Sequence, residues 1–164
     1  METDAYIALG SNLGDRELNL LRAVAELGKC PSCRVTGLSR FYETSPVAMP
    51  PDTPAFYNAV VRVATSLKPH ELLKELHRIE REIFDRVPTT EPQSRRMDLD
   101  LLLYGTHELC TPDLTIPHPR MLQRRFVLAP LADIAACLQP PGSSATIAEY
   151  LALLVSNEQV HLLE

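Results

Sequence analysis

Arg95-Arg96-Met97-Asp98-Leu99-Asp100-Leu101-Leu102-Leu103-Tyr104 places two carboxylates one residue apart inside an otherwise apolar run. A run of that length and composition reads as a strand. Side chains on a strand alternate between faces, so Asp98 and Asp100 point the same way, about 7 Å apart. Like charges on one face repel. Such a pair either faces solvent on an edge strand, where charge discourages aggregation, or holds a cation, and hard oxygen ligands of this kind suit Mg²⁺ carrying a phosphorylated substrate.

Working outward, this strand closes a regular order of elements. Residues 69–84 carry Leu72, Leu73, Leu76, Ile79 and Ile83 at helical spacing, with Pro69 suited to a first turn. Before that helix, residues 56–65 alternate as a strand, and residues 34–42 read as another. Residues 5–9 are a short apolar strand. A polar turn, Gly10-Ser11-Asn12-Leu13-Gly14-Asp15, then caps a helix over residues 16–29. The order βαββαβ is the split βαβ pattern of ferredoxin-like α+β folds. An antiparallel sheet with helices on one face, plus C-terminal additions, is the expected architecture. Downstream, the pattern predicts a hairpin around Thr106-His107, a short helix over residues 124–136, and a final helix in a tail spanning residues 142–155.

Two segments resist regular structure. Residues 44–54 hold four prolines in eleven positions, which excludes helix and central strand and predicts a long exposed loop. Residues 86–94 hold two prolines and no apolar period, and predict a second, mobile loop just before the aspartate strand.

Composition bounds the function. A chain of 164 residues with 45% hydrophobic and 23% charged residues suits one globular domain over residues 1–164. No apolar run approaches the roughly 20 residues that span a bilayer, and no basic, apolar leader opens the chain. A monomeric cytoplasmic protein that neither enters a membrane nor binds nucleic acid is expected, since the net charge is −5. Five arginines nevertheless fall in two short stretches, Arg95-Arg96 and Arg120 with Arg124-Arg125, and guanidinium forks match phosphate oxygens. Cys30-Pro31-Ser32-Cys33 has the spacing of half a zinc site or a redox pair. Without a second such pair or a neighbouring histidine, it reads as a turn with incidental thiols.

The motifs then fall into a known order. Tyr6-Ile7-Ala8-Leu9-Gly10-Ser11-Asn12-Leu13-Gly14-Asp15-Arg16, Phe41-Tyr42-Glu43-Thr44 with Phe56-Tyr57-Asn58-Ala59-Val60, Asp98 to Gly105, Ile116-Pro117-His118-Pro119-Arg120, and Arg124-Arg125-Phe126-Val127-Leu128-Ala129-Pro130-Leu131 resemble the successive signatures of 6-hydroxymethyl-7,8-dihydropterin pyrophosphokinases, across residues 5–135. The resemblance implies a folate-pathway enzyme that moves the β,γ-pyrophosphoryl group of ATP onto the pterin hydroxymethyl group and releases AMP. It further implies that Asp98 and Asp100 hold two Mg²⁺ ions and that Arg95, His118 and Arg124 bind ATP and supply donors to its phosphates. Phe56 and Phe126 would sandwich the pterin, while Asn58 and the backbone near Thr44 and Pro46 read its edge.

In one region the chain departs from that pattern. The family's glycine-arginine-x-arginine stretch followed by Trp-Gly-Pro-Arg-Thr is here Asp85-Arg86-Val87-Pro88, then Pro92-Gln93-Ser94-Arg95-Arg96. The tryptophan and the Gly-Pro are absent, Arg95 alone falls on a family arginine, and Arg86 or Arg96 is left as its partner. Read from the residues without the resemblance, the same chain also fits a ferredoxin-like regulatory module that binds a small ligand without chemistry. A catalytically impaired pterin-binding relative is the other alternative.

Overall fold

The computed structural model describes residues 1–46, 49–86 and 94–163. Its elements run β1 (Thr3–Ser11), α1 (Arg16–Lys29), β2 (Cys33–Leu38), β3 (Tyr42–Thr44), β4 (Phe56–Thr65), α2 (Pro69–Glu82), β5 (Asp98–Tyr104), β6 (Leu109–Cys110), β7 (Thr115–Ile116), α3 (Arg125–Ala135), α4 (Ile147–Leu153) and β8 (Val160–Leu162). A single 3₁₀ turn, Met121–Gln123, leads into α3. The ends of the helices follow their local chemistry. Asp15 Oδ1 accepts from Leu18 N–H at 3.1 Å to open α1, and Glu71 accepts from the Lys68 N–H at 2.8 Å to open α2, with Pro69 at its first position.

The sheet is antiparallel, in the order β5-β1-β4-β3-β8, with β2 also paired to β4. The expected single strand over residues 34–42 is in fact two. Ser39 interrupts it: its N–H donates to Val60 O at 2.9 Å and its hydroxyl takes the Val60 N–H at 2.8 Å, so a side chain replaces one rung of the ladder.

Helices cover both faces, not one. On one side Leu20, Leu27, Leu72, Leu76 and Ile79 of α1 and α2 pack on Ile7, Leu9, Val61, Val63, Leu99 and Leu101. On the other, Val127, Leu128 and Leu131 of α3 and Ile147 of α4 pack on Tyr6, Val60, Leu102 and Leu103. The central strands are apolar on both faces, as in Ala59-Val60-Val61 and Leu101-Leu102-Leu103, and so need cover on both. A bulge assists at β5: Tyr6 faces Leu103 and Ile7 faces Leu101, which makes Leu102 the extra residue and turns Leu102 and Leu103 together into the second cluster.

Two local expectations change. Thr106-His107 lies in a turn after β5, where Gly105 takes φ +52° and a Cβ would meet Thr3 at 2.8 Å. The hairpin instead joins β6 to β7 through residues 111–114, closed by Thr111 N–H to Leu114 O at 2.9 Å. The tail helix is shorter than residues 142–155, running Ile147–Leu153, and is followed by a strand, β8, that pairs with β3. Cys30 and Cys33 form the expected helix-to-strand turn, with Cys33 N–H donating to Cys30 O at 3.0 Å, and both are free thiols.

Candidate active site

Leu99 and Leu101 belong to the α1/α2 core, so alternation puts Asp98 and Asp100 on the opposite face, toward the start of α3. Both are half-buried. Register then assembles a row across the sheet. Asp98 faces Gly10 on β1, Gly10 faces Asn58 on β4, and Asn58 faces Tyr42 on β3, whose neighbour in the same register is Thr44 opposite Phe56. At about 4.8 Å per strand, Asn58 and Asp98 stand roughly 10 Å apart with only a glycine between them. A Cβ on Gly10 would lie 3.1 Å from Asn58 Nδ2 and 3.6 Å from Phe56, so glycine keeps this floor open.

At the aspartate end lies a cavity of about 470 Å³, whose lining includes Glu80, Arg86, Arg95, Asp98, Asp100, His118 and Arg124. Arg86 and Arg95 both donate to Asp98 Oδ1, at 2.9 and 3.1 Å. Arg86 also pairs with Glu80, which accepts the Leu99 N–H at 2.9 Å. Arg95 Nε is buried with no hydrogen-bond partner among the described residues. A buried guanidinium donor left open beside a cavity is suited to an anionic ligand. Arg96 is placed elsewhere, on Asp85 at 3.1 Å. Arg86 is thus the second arginine at Asp98, held at the end of α2 by its N–H to Glu80 O at 3.0 Å; the rest of the expected mobile loop, residues 87–93, lies outside the described residues.

His118 reaches the cavity because its N–H donates to Leu102 O at 2.9 Å and docks the segment on β5. Its Nδ1 accepts the Arg120 N–H at 3.1 Å, so the proton of the neutral ring sits on Nε2. Burial, then the charges of Arg124 and Arg120, push its pKa down to about 4, which leaves a neutral N–H donor across the physiological range.

Asp100 moves the other way. Burial first, then the charge of Asp98, push its carboxyl up to about 7, with Arg124 opposing. Burial likewise raises Glu80 to about 6. The donor set fits a hard divalent cation: two carboxylates on one face, and among the described residues no third His, Cys, Asp or Glu to complete an all-protein cage. That leaves positions for water and phosphate oxygens, as Mg²⁺ prefers.

These shifts set a pH dependence. The folded protein keeps on Asp100 a proton that the unfolded chain releases near 3.8, so this contribution to stability is present at low pH and is lost as pH rises through about 7. Without metal, the melting temperature should fall from about pH 4 to about pH 7 and level off above, and Asp100→Asn should flatten that fall. Parallel curves for the two proteins would rule out Asp100 as its source.

At the other end, Thr44 Oγ1 donates to Asn58 Oδ1 at 2.5 Å, so the Asn58 amide turns its N–H donors toward the floor over Gly10. Phe56 stands beside that floor. Phe126 sits near the start of α3 with the Arg124 guanidinium 5.4 Å from its ring. Pro46 is half-buried just beyond β3, while Val47 and Ala48 in the same loop lie outside the described residues.

Two further residues escape sequence reasoning. Glu80 occupies the apolar stripe of α2, four residues after Leu76, and a lone carboxylate in such a stripe was the available signal. Asn12 ties the site together. Its Oδ1 takes the Arg95 N–H at 2.7 Å, its own N–H donates to Arg95 O at 2.9 Å, and Nδ2 reaches Pro54 O and Ser94 Oγ, each at 3.1 Å.

Comparison with known proteins matches residues 6–136 to the family described as 7,8-dihydro-6-hydroxymethylpterin-pyrophosphokinase. The chain is 45% identical over 145 residues to 2-amino-4-hydroxy-6-hydroxymethyldihydropteridine pyrophosphokinase of Bacillus subtilis, across 88% of this chain and 86% of that protein. The Haemophilus influenzae protein of the same name is 42% identical over 139 residues, across 85% of this chain and 86% of that protein. The folic acid synthesis protein fol1 of Pneumocystis carinii is 42% identical over 153 residues; the match covers 93% of this chain and 20% of that protein, so the chain spans about a fifth of it. A Plasmodium falciparum HPPK-DHPS structure superposes with a TM-score of 0.75 over 93% of this chain and 44% of that one, at 14% identity, a likeness of fold alone.

Proposed function

We propose, because the chain belongs to the 7,8-dihydro-6-hydroxymethylpterin-pyrophosphokinase family, that it transfers the β,γ-pyrophosphoryl group of ATP to the hydroxymethyl group of 6-hydroxymethyl-7,8-dihydropterin and releases AMP, a step in folate biosynthesis. The observation that carries this reading is the row Asn58-Gly10-Asp98. It sets an amide suited to a heterocycle edge about 10 Å from a dicarboxylate suited to metal-bound phosphate.

In this reading Phe56 and Phe126 flank the pterin, and Asn58, held by Thr44, donates to its polar edge beside the backbone at Pro46. Arg95, Arg124 and the Nε2–H of His118 bind the ATP phosphates. Attack at the β-phosphorus builds charge on the α,β-bridging oxygen, and these three groups offer it N–H donors. Asp98 and Asp100 hold two Mg²⁺ ions, which supply Lewis-acid stabilisation of the attacking and leaving oxygens. Glu80 and Asn12 position Arg86 and Arg95. The protein acts as a monomeric, single-domain cytoplasmic enzyme.

An assay of AMP release tests the reaction. AMP should form only when ATP, the pterin and Mg²⁺ are all present. Pterin binding without AMP would mark a catalytically impaired relative, and Mg²⁺-independent nucleotide binding a regulatory module. For the pterin end, Asn58→Ala should weaken pterin binding by about 1–3 kcal/mol, the usual cost of a buried polar partner left unmatched, and leave ATP affinity unchanged. Equal weakening of both ligands in titration calorimetry would move Asn58 out of the pterin slot.

A further inference from the structure

The matched family segment ends at residue 136, yet the chain beyond it returns to the candidate pterin slot. The start of α3 needs help: its N-cap, Arg124, makes no side-chain capping bond. The first turn of a helix leaves backbone N–H groups open and carries a partial positive charge. Here Glu158 fills that role from a distance, its Oε2 accepting the Phe126 N–H at 3.3 Å. The Arg125 guanidinium, next to it, donates to Leu154 O at 2.7 Å. Immediately after Glu158 the same segment laces onto the other wall of the slot. Gln159 N–H donates to Ser45 Oγ at 3.1 Å, Ser45 N–H donates to Gln159 O at 3.0 Å, and β8 pairs Val160 with Thr44 and Leu162 with Tyr42.

One strap therefore joins the backbone of Phe126 to the strand that carries Thr44. We propose that residues 154–162 fix the separation of these two walls, with Glu158 as the positioning residue, and so set the affinity for the pterin without touching it. The inference rests on the assignment of Thr44, Asn58 and Phe126 to the pterin. Binding energy lost here should appear mainly in the pterin terms, because among the described residues Asp98, Asp100, Arg95 and His118 make no hydrogen bond to the strap, and of the ATP-binding groups only Arg124, the N-cap of α3, stands next to it.

The test compares full-length wild type, Glu158→Ala, Glu158→Gln and Ser45→Ala, using 6-hydroxymethyl-7,8-dihydropterin as the probe. Glu158→Ala should raise the pterin KM about fivefold, the size expected for loss of a helix cap, with kcat and the ATP KM within about twofold of wild type. Glu158→Gln keeps an acceptor oxygen and should restore most of the loss. Ser45→Ala, which removes the Gln159 N–H bond at the opposite anchor and keeps its backbone bonds, should move the same constant in the same direction by less. An unchanged pterin KM in Glu158→Ala, or pterin and ATP constants rising together, overturns the strap. Direct pterin titration decides the matter independently of turnover: a wild type that binds pterin but forms no AMP overturns the catalytic reading alone, and one that binds no pterin overturns both.

Discussion

Asp98→Asn and Asp100→Asn are each expected to lower AMP formation by about 10³-fold or more while the protein stays folded. The amide preserves shape and removes the charge that would hold a divalent cation, a loss of several kcal/mol of transition-state stabilisation. The surroundings make the two substitutions differ in a second readout. Asp98 already accepts from Arg86 and Arg95, so Asp98→Asn weakens two charged hydrogen bonds and should cost some stability. Asp100 has its carboxyl raised by burial and by Asp98, so Asp100→Asn should stabilise the metal-free protein at pH 8. Circular dichroism melts with and without Mg²⁺ check both signs. Near-normal AMP release by either variant at saturating Mg²⁺ would remove that carboxylate from the metal site.

Arg95→Ala should lower kcat by about 10²–10³-fold, the range seen when one preorganised donor to a developing charge is lost, while the ATP KM rises less than about fivefold. The buried Nε has no partner among the described residues, and Nη1 lies on Asp98. A donor so held is worth most when negative charge grows beside it. Steady-state kinetics with each substrate varied in turn separate the constants. A purely KM effect would make Arg95 a ground-state contact. Arg86→Ala should show a weaker form of the same behaviour, because Glu80 shares that guanidinium.

Local pattern carried most of the fold. The 3.6-residue period of α1 and α2 and the run ending at Tyr104 were enough for the βαββαβ order. What pattern could not show was tertiary. Leu101-Leu102-Leu103 is equally apolar on two faces, and only the bulge opposite Tyr6/Ile7 decides which side chain goes where. Ser39 breaks a strand through a side-chain bond to Val60 that no propensity signals. β8 forms because β3 offers it an open edge.

The candidate site divides in the same way. Asp98 and Asp100 announce themselves by i, i+2 spacing, whereas Asn58 enters through the family resemblance. His118 reads only through the family motif, and Gly10 gains meaning once register sets it between Asn58 and Asp98. Glu158 lies 32 residues from Phe126 in sequence and has no motif of its own.

The identity of the products distinguishes pyrophosphoryl transfer from every other use of ATP. Wild-type protein, Mg²⁺, ATP and 6-hydroxymethyl-7,8-dihydropterin should give a pterin carrying both the β- and γ-phosphoryl groups and one equivalent of AMP, read by mass spectrometry and ³¹P NMR. A pterin carrying a single phosphoryl group with ADP, or AMP released equally without the pterin, would contradict it.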